Sequence, residues 1–179
     1  MGGRTGFDYL FLVRSGKAYL RALEILAKGN RQADSTFGSK FRDLAVAKGP
    51  ETQLCGQATE LILKAAIEVT GEKASRTHNL DALSAQFFKI HGTQISRSLD
   101  DDVRREIKRR YNISSSEDDE VHSFINQIKI VNARYDRPFD TRYPTKGAKK
   151  VLDTLVLVPA LWRLVKLTEN LPPPLSHLK

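Results

Sequence analysis

Apolar residues recur along the chain at helical rather than strand spacing, so the pattern predicts an all-α, up-and-down bundle of five to six helices. A first helix carries Leu12, Tyr19, Leu23 and Leu26 on one stripe, with Phe11, Ala18, Ala22 and Ile25 beside it, the wide arc of a core helix. Gly29-Asn30 predicts its end. Residues 31–49 are polar and mixed and read as a connection, with a short helical turn around 41–47. Pro50 suits a first helical position. Leu54, Ala58, Leu61, Ile62, Ala65 and Val69 then trace a buried stripe to Gly71.

Leu80, Leu83, Phe87 and Ile90 mark a third helix, which Thr77 or Asn79 can cap and Gly92 can close. A fourth begins at Ser98 and is expected to bury Leu99, Val103, Ile107 and Tyr111. A fifth follows a Ser116 cap and turns Val121, Phe124, Ile125 and Ile128 inward. From 134 to 147 the periodicity stops, which predicts a basic, proline-containing loop or extended arm. The last helix is expected over 148–170, kinked or broken at Pro159. Three consecutive prolines make 171–179 an extended tail after a single domain over 1–170.

Charge changes this picture only in part. Twenty-nine Lys and Arg against 21 Asp and Glu give +8 at pH 7, which favours anionic partners. One cysteine excludes an intrachain disulfide, and with no apolar leader before Phe7 the expected home is a reducing cytoplasm. The most apolar run, 151–167, is interrupted by Asp153, Arg163 and Lys166, so no membrane span is expected. Cys55 sits beside the buried stripe and reads as a small core side chain.

Candidate chemistry is sparse. The four histidines lack the spacings that place zinc ligands on one helical face, so neither metal nor cofactor is expected. Glu60, Lys64 and Glu68 stand at i, i+4 and i+8, either as a solvated salt ladder or with Lys64 as a phosphate contact. His78, just before the third helix, suits a structural hydrogen bond as well as a ligand contact. The run Asp100-Asp101-Asp102 followed by Arg104, Arg105, Lys108, Arg109 and Arg110 resembles a nucleic-acid helix. Acids at its start and bases at its end serve the helix dipole equally well. In 134–150, Arg134, Arg137, Arg142, Lys146, Lys149 and Lys150 outnumber Asp136 and Asp140 and alternate with Tyr135, Phe139 and Tyr143. Such cations and rings suit the phosphates and bases of a nucleotide or single strand. Internal ion pairing of the arm is the other reading.

These features, in this order, resemble the HEPN superfamily (higher eukaryotes and prokaryotes nucleotide-binding domain). The stretch 9–26 is similar to that family's opening helix, and Gln57-Ala58-Thr59-Glu60-Leu61-Ile62-Leu63-Lys64-Ala65 to its Ala-x-Glu-x-x-Leu-Lys-Ala helix. His78-Asn79-Leu80-Asp81-Ala82-Leu83 resembles its His-Asp-Leu-x-x-Leu signature, with Asn79 in place of the usual Asp. Arg142-Tyr143-Pro144 resembles the Arg-Tyr-Pro that follows the late helix. The resemblance implies a helical bundle that often forms homodimers in defence, stress or toxin-antitoxin systems.

Many members are metal-independent ribonucleases built on an Arg separated from a His by four to six residues. Here no Arg precedes His78, His91, His122 or His177 at that spacing; Lys73 does precede His78 so, but without arginine's planar fork. The resemblance therefore implies a non-catalytic module for a nucleotide, RNA, or a partner protein such as a nucleotidyltransferase. By that resemblance its binding residues would be Glu60, Lys64, His78, Arg142 and Tyr143, to which the charge pattern of the arm adds Arg134, Arg137 and Lys146. An atypical ribonuclease toxin and a structural dimerisation protein are the alternatives. The apolar last helix around Leu155, Leu161 and Trp162 points to a homodimer, because it exceeds what one bundle interior readily absorbs.

Overall fold

The second predicted helix builds the centre of the molecule. In the computed structural model, which describes residues 8–37, 44–112, 122–135 and 153–171, helix α2 (Leu44–Glu68) is buried on almost every side. Cys55, Ala58, Ile62, Leu63, Ala65, Ala66 and Ile67 all lie in the core, and Glu51, Thr52, Thr59 and Glu60 are buried with them, so neighbours cover more of α2 than its apolar stripe. Around it stand α1 (Asp8–Phe37), α3 (Leu80–His91), α5 (Phe124–Tyr135) and α6 (Val158–Asn170). Helix α4 (Thr93–Tyr111) packs on α6, α3 and α5, and a 3-10 turn (Thr154–Leu157) leads into α6. Among the described residues there are six α-helices and no strand, an all-α bundle.

Contacts show that α1 and α2 are antiparallel, since Gly16 meets Ile62 and Asn30 meets Glu51. A Cβ at Gly16 would lie 2.7 Å from Ile62 Cγ1, so glycine lets the two backbones approach there. This approach sets which face of α1 is buried. The core stripe is Val13, Leu20, Leu23 and Ala27, lined up with Gly16; of the expected row Leu23 belongs to it and Leu12 packs partly buried against it, while Tyr19 lies off it. Tyr19 is 38% exposed, and Phe11 and Ile25, expected beside the core, are 69% and 73% exposed.

Helix ends differ from the sequence expectation where a tertiary contact replaces a local signal. Helix α1 runs through Gly29-Asn30 because Asn30 Nδ2 donates to Glu51 Oε1 at 2.6 Å across the α1–α2 interface, rather than capping its own helix. Pro50 lies inside α2, which begins at Leu44. Helix α4 begins at Thr93, one residue after α3 closes at Gly92, whose φ of 76° makes the corner that glycine allows. Tyr111 is half exposed, its hydroxyl donating to Asp153 Oδ2 at 2.8 Å. Ser123 Oγ accepts from Asn126 N at the start of α5, whereas the expected cap Ser116 lies outside the described residues. Pro159 sits in the first turn of α6, so the last helix is broken before it, not kinked.

Helix α3 matches its signals: Asn79 Oδ1 accepts from Ala82 N at 2.9 Å, and Thr77 Oγ1 accepts from Asn79 N at 3.0 Å. Leu155 and Leu161 are buried within this one chain, and Trp162 packs partly against the same core while its Nε1 donates to Glu24. The residues that suggested a second copy are thus covered wholly or in part by this chain, while Leu167 of α6 is exposed. Among the described residues no helix is long and apolar enough to cross a membrane.

Candidate functional site

One carboxylate gathers three elements. Glu60 is on the α2 face that meets α5 and is only 3% exposed, so its charge must be compensated by protein groups. Lys64, one turn later, donates from Nζ to Oε1 at 2.7 Å. His78, in the connection between α2 and α3, places Nδ1 3.1 Å from Oε1 and 3.0 Å from Oε2. Tyr135, the last residue of α5, donates its hydroxyl to Oε2 at 2.6 Å. That hydroxyl also lies 3.0 Å from Gln57 Oε1, but its single proton goes to the shorter contact with a charged acceptor.

Burial, the largest single influence, pushes the Glu60 carboxyl up. Hydrogen bonds from Lys64, Tyr135 and His78, with the Lys64 charge, outweigh it and hold the group below its ordinary value. Glu60 is therefore ionised at neutral pH. Burial and then the bond to Glu60 push the Tyr135 phenol well above its ordinary range, so Tyr135 stays a donor.

The surroundings fix this geometry from two sides. Tyr135 is seated on Gly56, where an added Cβ would collide with the ring. Asn132, one turn before Tyr135 and buried, accepts from Leu80 N through Oδ1 at 2.8 Å and donates to Asp81 Oδ2 at 3.2 Å. It therefore holds the start of α3, and with it the segment carrying His78, against α5. The imidazole itself is open: the His78 side chain is 79% exposed while Glu60 beneath it is closed off. With Nδ1 turned to the carboxylate, Nε2 is the ring atom left for a ligand.

The sequence-predicted residues divide accordingly. Glu60, Lys64 and His78 are brought together. Arg134 lies on α5 beside Tyr135, half-buried. Arg137, Arg142, Tyr143 and Lys146 lie outside the described residues. Gly56, Gln57 and Asn132 were not expected at a site, and Tyr135, expected as a stacking ring of the arm, is instead the buried end of the α5 stripe Phe124, Ile128, Val131, Tyr135.

The basic helix α4 spends its charge internally. Glu106 accepts from Arg109 and Arg110, Arg110 reaches Asp153 at 3.2 Å, and Arg163 of α6 binds Asp102. The dipole reading holds only at one end: Lys108, Arg109 and Arg110 are in the last turn, but α4 begins at Thr93, so Asp100, Asp101 and Asp102 lie in mid-helix and not at its start. Cys55 is fully buried, and burial pushes its thiol up to about 12, which makes it a core side chain and not a nucleophile. Among the described residues no group of three or more His, Cys, Asp or Glu could hold a metal ion. No family model matches the chain, and it matches neither a curated protein nor a solved structure.

Proposed function

We propose that the chain binds a phosphate-bearing ligand, a nucleotide or RNA, at the edge where His78 and Lys64 meet over Glu60. One observation carries this reading. A buried carboxylate holds an ammonium and an imidazole side by side, and the imidazole is open to solvent with Nε2 outermost. Glu60 stiffens both groups, so less side-chain freedom is lost when a phosphate arrives than for cations on a mobile surface. The excess of +8 adds long-range attraction for a polyanion. The similarity of these three residues to the HEPN motifs supports the same assignment, and a cytoplasmic role in defence, stress or toxin-antitoxin function, with a homodimer or a nucleotidyltransferase partner, belongs to this reading.

The test is binding of a fluorescent RNA oligonucleotide and of a fluorescent ATP analogue to the full chain. His78→Ala and Lys64→Ala should each weaken binding by about tenfold, the scale of one charge-assisted contact. Lys166→Ala, an exposed cation on α6, should leave it unchanged. Affinity for RNA should fall steeply with added salt. Equal affinity in all four proteins would remove the site.

A second reading has an observation of its own. A carboxylate on Nδ1 is the arrangement that fixes a histidine tautomer for proton transfer at Nε2. On that reading Nε2 would take the proton of an RNA 2′-hydroxyl, and the chain would be an atypical metal-independent ribonuclease. RNA cleavage in the presence of a chelator, abolished by His78→Ala and reduced by Glu60→Gln, separates it from binding alone.

A further inference from the structure

Helix α1 packs on α2 and on α6 and leaves a third face uncovered. Phe11, Ala18 and Ile25 form a row on this face, each seven residues from the next, and all three are exposed. Three residues after each stands a cation, Arg14, Arg21 and Lys28, also exposed and free of any ion pair among the described residues. Two rows of heptad period therefore run side by side for about 21 Å of helix. One is apolar and the other is positive. Glu24, the only acidic residue between 9 and 30, stands one turn from Arg21 and Lys28 but accepts from Trp162 of α6 and forms no ion pair with either among the described residues, so this face keeps a positive excess.

We infer that this face is a docking surface for an amphipathic helix of a partner protein whose apolar row is flanked by acidic residues. Helix geometry fits that occupant. A heptad row matches the seam of a helix lying along α1, because side chains seven apart drift by only about 20° around an α-helix. On the other side of the apolar row stand Ala22 and Gly29, which carry little bulk, and a Cβ at Gly29 would meet nothing within 4 Å. A neighbouring backbone can thus come close. Acidic residues on the partner would complete the pairing that Arg14, Arg21 and Lys28 lack, in the way e and g positions select coiled-coil partners.

The same features argue against other occupants. A second copy of α1 would set one row of cations against another. An anionic membrane surface takes a broad apolar face, whereas here only Phe11 and Ile25 of α1 are large, apolar and mostly exposed, and a row of cations runs beside them. This surface is separate from the Glu60 site, whose residues come from α2, α5 and the segment before α3.

The experiment uses the full chain and a labelled peptide of about three heptads, with Leu at a and d and Glu at e and g. Its twin has Lys in place of every Glu. The Glu peptide should bind saturably and at least about tenfold more tightly than the Lys peptide. Ile25→Ser should weaken it, and the triple reversal Arg14→Glu, Arg21→Glu, Lys28→Glu should invert the preference toward the Lys peptide. All four substituted residues are exposed, and an unchanged melting temperature verifies that each variant is folded. Equal binding of the two peptides, or a preference that survives the triple reversal, overturns the inference. So does failure to bind either peptide accompanied by binding to phosphatidylserine vesicles or by Ile25-dependent self-association.

Discussion

The hydroxyl of Tyr135 lies 2.6 Å from Glu60 Oε2, so the last residue of α5 closes a site that α2 and the segment before α3 otherwise form. Removing this one oxygen leaves the ring in place on Gly56 and takes a donor from a buried carboxylate. Tyr135→Phe should therefore lower stability by about 1.5–3 kcal/mol, the scale of a hydrogen bond to a charged group, read from urea unfolding. A loss under half a kcal/mol would mean that water replaces the hydroxyl without cost.

Two glycines within helices should respond to alanine with opposite signs. At Gly29 nothing lies within 4 Å of an added Cβ, so Gly29→Ala should stabilise by about 0.5–1 kcal/mol through helix propensity alone. At Gly56 the methyl meets the Tyr135 ring, and displacing that ring also strains its bond to Glu60. Gly56→Ala should destabilise by about 1–3 kcal/mol, the usual cost of overpacking. A Gly56→Ala melting temperature that stays level or rises would contradict the close seating of Tyr135.

Which features were legible in the sequence follows from where the determining contact lies. The cap at Asn79 and the corner at Gly92 are local, and the residues alone specify them. Glu60 and Lys64 are one turn apart on a single helix, so their pairing is local as well. Whether that pair was buried or solvated was not legible, because burial depends on α5 arriving at Gly56. Tyr135 is 75 positions from Glu60, and proline and arginine close after it in sequence hid the end of the α5 stripe. The core face of α1 was misplaced for a similar reason. Phe11 and Ile25 are as apolar as Val13 and Leu20, and the approach of α2 at Gly16 decides which pair is covered.

The last prediction concerns acid. Glu60 has its carboxyl held below the ordinary value in the folded chain, where burial raises it but Lys64, Tyr135 and His78 together lower it further. Glu106 is lowered too, first by Arg109, against burial, and then by Arg110. In the unfolded chain both return toward the ordinary 4.5. A group lowered on folding binds fewer protons in the native state over that window, so its contribution is complete above the unfolded value and is lost as pH falls through the folded one. Stability should thus be level near neutrality and should decline from about pH 5 downward. Glu60→Gln cannot titrate, so it removes one of these two contributions: the variant should start less stable at pH 7 and lose less on acidification. Glu106 keeps some slope in that variant, and a double variant with Glu106→Gln should be flatter still. Parallel wild-type and Glu60→Gln curves between pH 7 and the acid transition, measured as urea unfolding free energies, would show that Glu60 is not the ionised hub of the site.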